Sequence, residues 1–422
     1  ITVGGTAVSS IVSNTGTVLT VIPATGSSGT VSVTNGSTVT YGTYTVNAVP
    51  VITSVSMGAQ TVCSGITASA LSISATAGSG NISTYQWYSN TTASNSGGTS
   101  ISVANAASYT PPSSTVGTTY YYCVVFNSNG CSSTSAVSGA VTVTSPPTAS
   151  TNGGNISSCK GTTTVALGGN TPSVGTGTWT CTAAPVGGST SDITFTSAST
   201  GNTTAIVSAS ATAGDYTLTW TIASSGCTSS TSSLTLTVNA APIITSVAMS
   251  GQSACTGGSL TALSISATPG SGSISTYQWY SNTTASTSGG TSISGATSAS
   301  YTPSAATVGT SYYYCVVTNS VTCSATSAVS GAIVISNSAT TPTATIATLV
   351  GGTSFTANWN AVSGATGYYL DVSTSSTFAS YVTGYNNLSV GNVITYAVSG
   401  LTQNLTYYYR VRAYNSCSRS EE

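Results

Sequence analysis

The run LSISATAGSGNISTYQWYSNTTASNSGGTSIS at Leu71–Ser102 returns almost unchanged at Leu263–Ser294 as LSISATPGSGSISTYQWYSNTTASTSGGTSIS. Within it, short alternating stretches such as LSISAT and TYQWYS are cut by clusters of Gly, Ser and Asn. Alternation with period two marks a half-buried strand, and the clusters are hairpin chemistry. TYYYCVV and AVTVT, further on, repeat the pattern, and no segment carries a helical period of useful length. The chain therefore reads as all-β, a series of antiparallel sandwiches.

Extending the match outward, Val51–Pro146 aligns with Ile243–Ser338 without a gap, with 65 identities in 96 positions. The offset is twice 96, so a third unit belongs between the copies. Cysteines locate it: Cys63, Cys159 and Cys255 follow one another at 96 residues, and Cys131, Cys227 and Cys323 keep the same step. Each member of the first set precedes one of the second by 68 residues. That constancy predicts three bonds within units, Cys63–Cys131, Cys159–Cys227 and Cys255–Cys323, each worth roughly 4 kcal/mol if loop entropy alone counts. Metal binding is the poorer reading, because the chain has no histidine and no CxxC pair. Persistent disulfides imply an oxidising, extracellular compartment. Pro50, Pro146 and Pro242 open the units in VPVITS, SPPTAS and APIITS, which places joints there and again near Thr341-Pro342.

Charge bounds the chemistry. Lys160, Arg410, Arg412 and Arg419 are the only bases, and Asp192, Asp215, Asp371, Glu421 and Glu422 the only acids. So few charges cannot form a phosphate-binding face or a hard-cation cage, so nucleic acid and calcium are not expected partners, and no cofactor is expected. General acid–base chemistry needs groups this sequence almost lacks, and the expectation is that it is not an enzyme. GSSG, GSGN and SNSGG precede neither a helix nor a GK[ST] element and read as turns. No window reaches the roughly 18 apolar residues of a membrane helix. The start, ITVGGTAVSS, lacks a basic, apolar export signal.

With hydrophobic residues at 39%, the chain has enough apolar material to bury cores. Trp87, Trp279 and Trp179 read as the residues filling the space between sheets, with sugar stacking as the alternative. Cys123, Cys181, Cys315 and Cys417 fall outside the 68-residue rule and are expected to be free or to link neighbouring molecules. Two registers are open for Cys123. An antibody-like Y-x-C reading of Tyr121 and Cys123 turns the sulfur toward Trp87. Counting back from the closing cysteine instead aligns Tyr120, Tyr122, Val124 and Phe126 with the apolar face Tyr216, Leu218, Trp220 and Ile222 of the middle unit. The second register is favoured here, because Thr217, Thr219 and Thr221 form a uniform opposite face. It puts Cys123 and Cys315 outside, and makes an outer aromatic patch of Tyr88 with Tyr121 and of Tyr280 with Tyr313. Such a patch stacks on sugars or packs as an ordinary cross-strand pair.

The CSG and CKG openings, the YQWYS, GTGTW and YTLTWTI runs and the closing GC-SSTS resemble the immunoglobulin-like (PKD-like) repeats of large Bacteroidota surface proteins. SFTANWNAVSGATGYYLDVS and VSGLTQNLTYYYRVRAYN resemble a fibronectin type III domain. There Trp359, Tyr368, Leu370, Leu401 and Tyr407 fit the core tryptophan, strand residues and tyrosine corner. ITVGGTAV, LTVIPATGSSGTVSVTNG and YGTYTV resemble the second half of another immunoglobulin-like domain of the IPT/TIG type. The expected organisation is then a partial Ig-like domain at 1–47, Ig-like repeats at 48–145, 146–241 (diverged) and 242–338, and a fibronectin type III domain at 339–422 lacking its last strand. The resemblance implies an elongated rod, a stalk segment of a type IX-secreted adhesin or extracellular filament used in attachment or gliding. Its partners would be other surface proteins, copies of itself or glycans. Spacer modules of a polysaccharide-active enzyme and a self-assembling sheath subunit are the alternatives.

Overall fold

A computed structural model describes residues 1–3, 5–14, 19–22, 28–35 and 37–420. Among these the chain is a string of two-sheet sandwiches, and its one helical element is a single 3-10 turn at Thr190–Asp192. The fold is thus all-β, in tandem immunoglobulin-like and fibronectin-like units.

In the unit of Val51–Thr144, one sheet runs in the order Thr99–Ser100, Ile82–Asn90, Gly117–Asn127, Val141–Thr144, Gln60–Cys63. The facing sheet holds Ser108–Tyr109, Leu71–Thr76 and Val51–Ser56. The duplicate of Ile243–Ser336 has the same two sheets. The middle unit packs a four-stranded sheet (Ile156–Cys159, Ser230–Asn239, Gly214–Ala223, Thr176–Ala183) over the hairpin Ile193–Phe195/Ala205–Val207. From Ala344 to Tyr414 two three-stranded sheets face each other.

Cores form where inward side chains of both sheets meet. Trp87, Trp220 and Trp279 are completely shielded, and Trp179 is 1% exposed. Trp87 and Trp279 donate their indole N–H to Ala106 O and Ser298 O at 2.9 Å, and Trp179 donates to Gly201 O at 2.8 Å. They are core residues, not sugar platforms. Trp359, Tyr368, Leu370 and Leu401 form the core of the last unit. There the Tyr407 hydroxyl bridges back to Thr402, accepting from its N–H at 2.8 Å, which is the expected tyrosine corner.

In the diverged unit Tyr216, Leu218, Trp220 and Ile222 all point inward, as their alternation predicts. The duplicated units depart from the favoured register. Trp87 stands opposite Cys123, and Trp179 stands opposite Trp220. Tyr121, Cys123 and Val125 therefore face the core, with Tyr313, Cys315 and Val317 as their copies. Val125 lies six residues before Cys131, whereas Ile222 lies five before Cys227. That difference in the hairpin shifts any count made backward from the cysteine, and with period two a one-residue slip reverses every side chain.

Candidate functional site at the joints between units

Each of the three immunoglobulin-like repeats carries a cysteine toward each of its ends. The strands Gln60–Cys63, Ile156–Cys159 and Gln252–Cys255 each end on a cysteine. Each runs parallel to the last strand of its unit, so that Cys63 lies beside Thr144, Cys159 beside Asn239 and Cys255 beside Ser336. These cysteines therefore sit at the exit pole, where the chain leaves for the next unit. Cys131, Cys227, Cys323 and Cys417 instead lie in or beside the turn that follows a long central strand, at the entry pole. Cys131 of the Val51–Thr144 unit is accordingly 3.7 Å from the carbonyl of Asn47, at the entrance to that unit.

The bonds follow from that placement and correct the expected pairing. Cys63 joins Cys227, Cys159 joins Cys323, and Cys255 joins Cys417. None closes within a unit, because a unit's own two cysteines stand at opposite poles. Constant spacing of 68 could not reveal this. When both partners repeat at 96 residues, pairing within a unit and pairing to the next are equally regular. Cys417 is bonded rather than free, and Cys131 carries a thiol.

Around each bridge a polar clamp ties the linker to the incoming unit. In the duplicate, Asn319 is 1% exposed. Its amide donates to Ala240 O and Pro269 O at 3.0 Å, while its carbonyl oxygen accepts the Cys323 N–H at 2.9 Å. Asn127 makes the same set with Ala48 O, Ala77 O and Cys131 N–H. In the last unit Asn415 donates to Asn337 O at 2.8 Å and accepts the Cys417 N–H at 2.9 Å. In the diverged unit a serine substitutes, its Ser224 hydroxyl donating to Ser145 O at 3.0 Å. At each asparagine one side chain thus fixes the linker carbonyl and the hairpin amide together, whereas at Ser224 the backbone carbonyl takes the Cys227 N–H. The sequence signal of the asparagine clamp is NSNGC, NSVTC and NSC, an asparagine shortly before each of these cysteines.

The remaining candidates are dispersed. Cys123 and Cys315 are fully buried, and burial pushes their thiols up to about 12 and about 11. They are core groups, not outward cross-linkers. Cys181 is half-buried at the edge of its core, and burial raises its thiol as well. Tyr121 and Tyr313 lie in the cores. The outer stacked pairs are instead Tyr88 with Tyr122 and Tyr280 with Tyr314, with ring centroids 5.0 Å apart. Tyr122 is itself covered, its hydroxyl accepting the Gly98 N–H at 3.1 Å.

Several of the scarce charges are committed to structure. Asp371, fully buried, takes Arg410 Nε at 2.9 Å and Arg412 Nη2 at 2.6 Å. Asp192 accepts the Ser189 N–H and the Tyr216 O–H, which hold its carboxyl below the ordinary range. Among the described residues, no group of three or more His, Cys, Asp or Glu gathers to hold a metal ion, and no helix is long and apolar enough to cross a membrane.

Residues 52–147 and 245–338, the two duplicated units, match a family described as a domain of unknown function (DUF8696). No curated protein matches the chain. Similar solved structures include the titin I-band fragment I67–I69, at 14% identity over 69% of this chain and 99% of that one, with a TM-score of 0.35. Immunoglobulin domains 1–4 of Sidekick-1 are 17% identical over 89% of this chain and 97% of that one, with a TM-score of 0.26. The insect immune protein hemolin is 13% identical over 88% and 98%, also with a TM-score of 0.26.

Proposed function

We propose that this chain is a load-bearing stalk segment of a secreted bacterial surface adhesin or extracellular filament, organised as five domains at 1–47, 48–145, 146–241, 242–338 and 339–422. The observation that carries the reading is the placement of the bridges. Each joins a unit to the next beside the linker, so tension along the chain is handed across the joint through a covalent bond. The shortest covalent route enters at Ile1, crosses from Cys63 to Cys227, follows the chain to Cys255 and crosses to Cys417. Residues 64–226 and 256–416 lie off that covalent route, so their unfolding does not lengthen the chain between its ends while the bridges hold. The Cys159–Cys323 bond braces the joint between them. The Bacteroidota resemblance of the repeats supplies the biological setting, attachment or gliding at a cell surface.

Single-molecule pulling of the chain by its ends, with and without reductant, tests this. Oxidised chains should show no release from the three bridged joints. Reduced chains should lengthen in successive steps of about 300 Å, the length of some 96 extended residues less the folded unit. Equal stepwise lengthening in both conditions would exclude a load-bearing role for the bridges.

A further inference from the structure

The joint at Asn47 has every part of the later joints except one strand. In the three immunoglobulin-like repeats the closing strand has a neighbour on both edges, the outer one being the parallel strand that ends in cysteine. The closing strand before Asn47 is Ser37–Tyr44, which pairs with Gly29–Asn35 on one edge. Among the described residues no strand pairs with its other edge. An unpaired edge is a template for a further strand.

The second observation lies on the far side of the joint. Cys131 stands 3.7 Å from Asn47 O, as Cys323 stands 3.8 Å from Asn239 O and Cys417 3.5 Å from Ser336 O. Asn239 and Ser336 are the residues whose register partners, Cys159 and Cys255, bond those sulfurs. The clamp is complete here too, Asn127 holding Ala48 O and the Cys131 N–H as Asn319 holds Ala240 O and the Cys323 N–H.

We propose that the open edge of Ser37–Tyr44 and the Cys131 thiol form one docking site for a parallel β-strand ending in cysteine, of the kind seen in QTVC, ISSC and QSAC. The strand is supplied in cis, by residues preceding Ile1 in the native polypeptide. The reason is the later units, in which each cysteine-ending strand belongs to the same unit as the closing strand it flanks and precedes it by some 80 residues. Docking brings the incoming cysteine beside Asn47 and Cys131. Closure forms one S–S bond, and the two protons and two electrons released from the thiols reduce a disulfide donor to its dithiol. The inference does not depend on the stalk reading, since it concerns how the joint is completed and not what load it bears.

A peptide AQTVCSG, matching Ala59–Gly65 and carried as its mixed disulfide with thionitrobenzoate, probes the site on the oxidised chain. Attack by the Cys131 thiolate forms the protein–peptide disulfide, breaks the peptide–aryl disulfide and releases the coloured thionitrobenzoate anion. The expected result is reaction confined to Cys131, abolished by Cys131→Ser. It should be at least about ten-fold faster than with AQTPCSG, whose proline cannot complete the ladder. Equal rates for the two peptides would mean an ordinary exposed thiol and would overturn the proposal. Non-reducing peptide mapping of the full-length native protein decides the source. A Cys131 bond to a cysteine preceding Ile1 supports it, whereas a free Cys131 or a bond to another molecule overturns it.

Discussion

Asn319 illustrates how much one buried side chain decides. It holds Pro269 O, the Cys323 N–H and Ala240 O, the last shared with the Ser271 N–H, and stranded buried polar groups cost about 1–3 kcal/mol each. Asn319→Ala should lower the stability of its unit by about 2–4 kcal/mol, read as a shift in the urea midpoint at constant slope. Asp192 acts at the same scale through protonation. Its carboxyl sits below the ordinary value of 3.8 because Ser189 N–H and Tyr216 O–H bind the charged form. The folded state therefore releases the proton more readily than the unfolded one, so this contribution is present above that value and lost as pH falls through the folded one. Asp192→Asn should flatten the acid limb of the stability–pH curve below about pH 4, compared with the parent chain in the same denaturant series. Neither role was visible in the sequence. Asparagine and aspartate there are two polar residues among many, and only the fold shows which backbone groups they meet.

At the scale of elements, the hairpin of the diverged unit meets the cysteine strand of its predecessor so closely that side chains are excluded. Gly226 has φ +74°, and a Cβ placed there would lie 2.9 Å from Thr61 O. Gly226→Ala should reduce the fraction of Cys63–Cys227 bond recovered on oxidative refolding, scored by non-reducing peptide mapping. Gly257, with a similar φ of +79° and nothing within 4 Å of a Cβ, is the control. Gly257→Ala should leave the yield of its neighbouring Cys255–Cys417 bond near the parent value, since only backbone strain is introduced. The strands themselves were legible, because alternation in LSISAT, TYQWYS and YTLTWTI reports directly which face is buried. The register between copies was not, since it hung on a one-residue difference in a hairpin that the cysteine count concealed.

Across the whole molecule, each bridge adds a second covalent tie between neighbouring units beside the linker. A single proline-bearing linker with a few hydrogen bonds allows neighbouring sandwiches to swing, and relative motion is the default for such interfaces. Replacing both cysteines of one bridge, Cys159→Ser with Cys323→Ser, should create one hinge while leaving both sandwiches folded. Electron micrographs should then show a broad distribution of angles at that joint and narrow ones at the Cys63–Cys227 and Cys255–Cys417 joints. An unchanged angle distribution would assign the rigidity to the Asn319 clamp and the linker instead.

What the sequence determined by itself was the unit: its β character, its 96-residue period and the tryptophans that fill it. These follow from local alternation and from repetition, which survive without knowledge of where chain segments meet. The tertiary structure decided how units connect. Whether a cysteine pairs with the one 68 residues on or with the one a full period further depends on which pole of a sandwich each strand end reaches. Strand direction and the parallel pairing of Cys63 with Thr144 settle that, and both are properties of the folded sheet rather than of residue spacing.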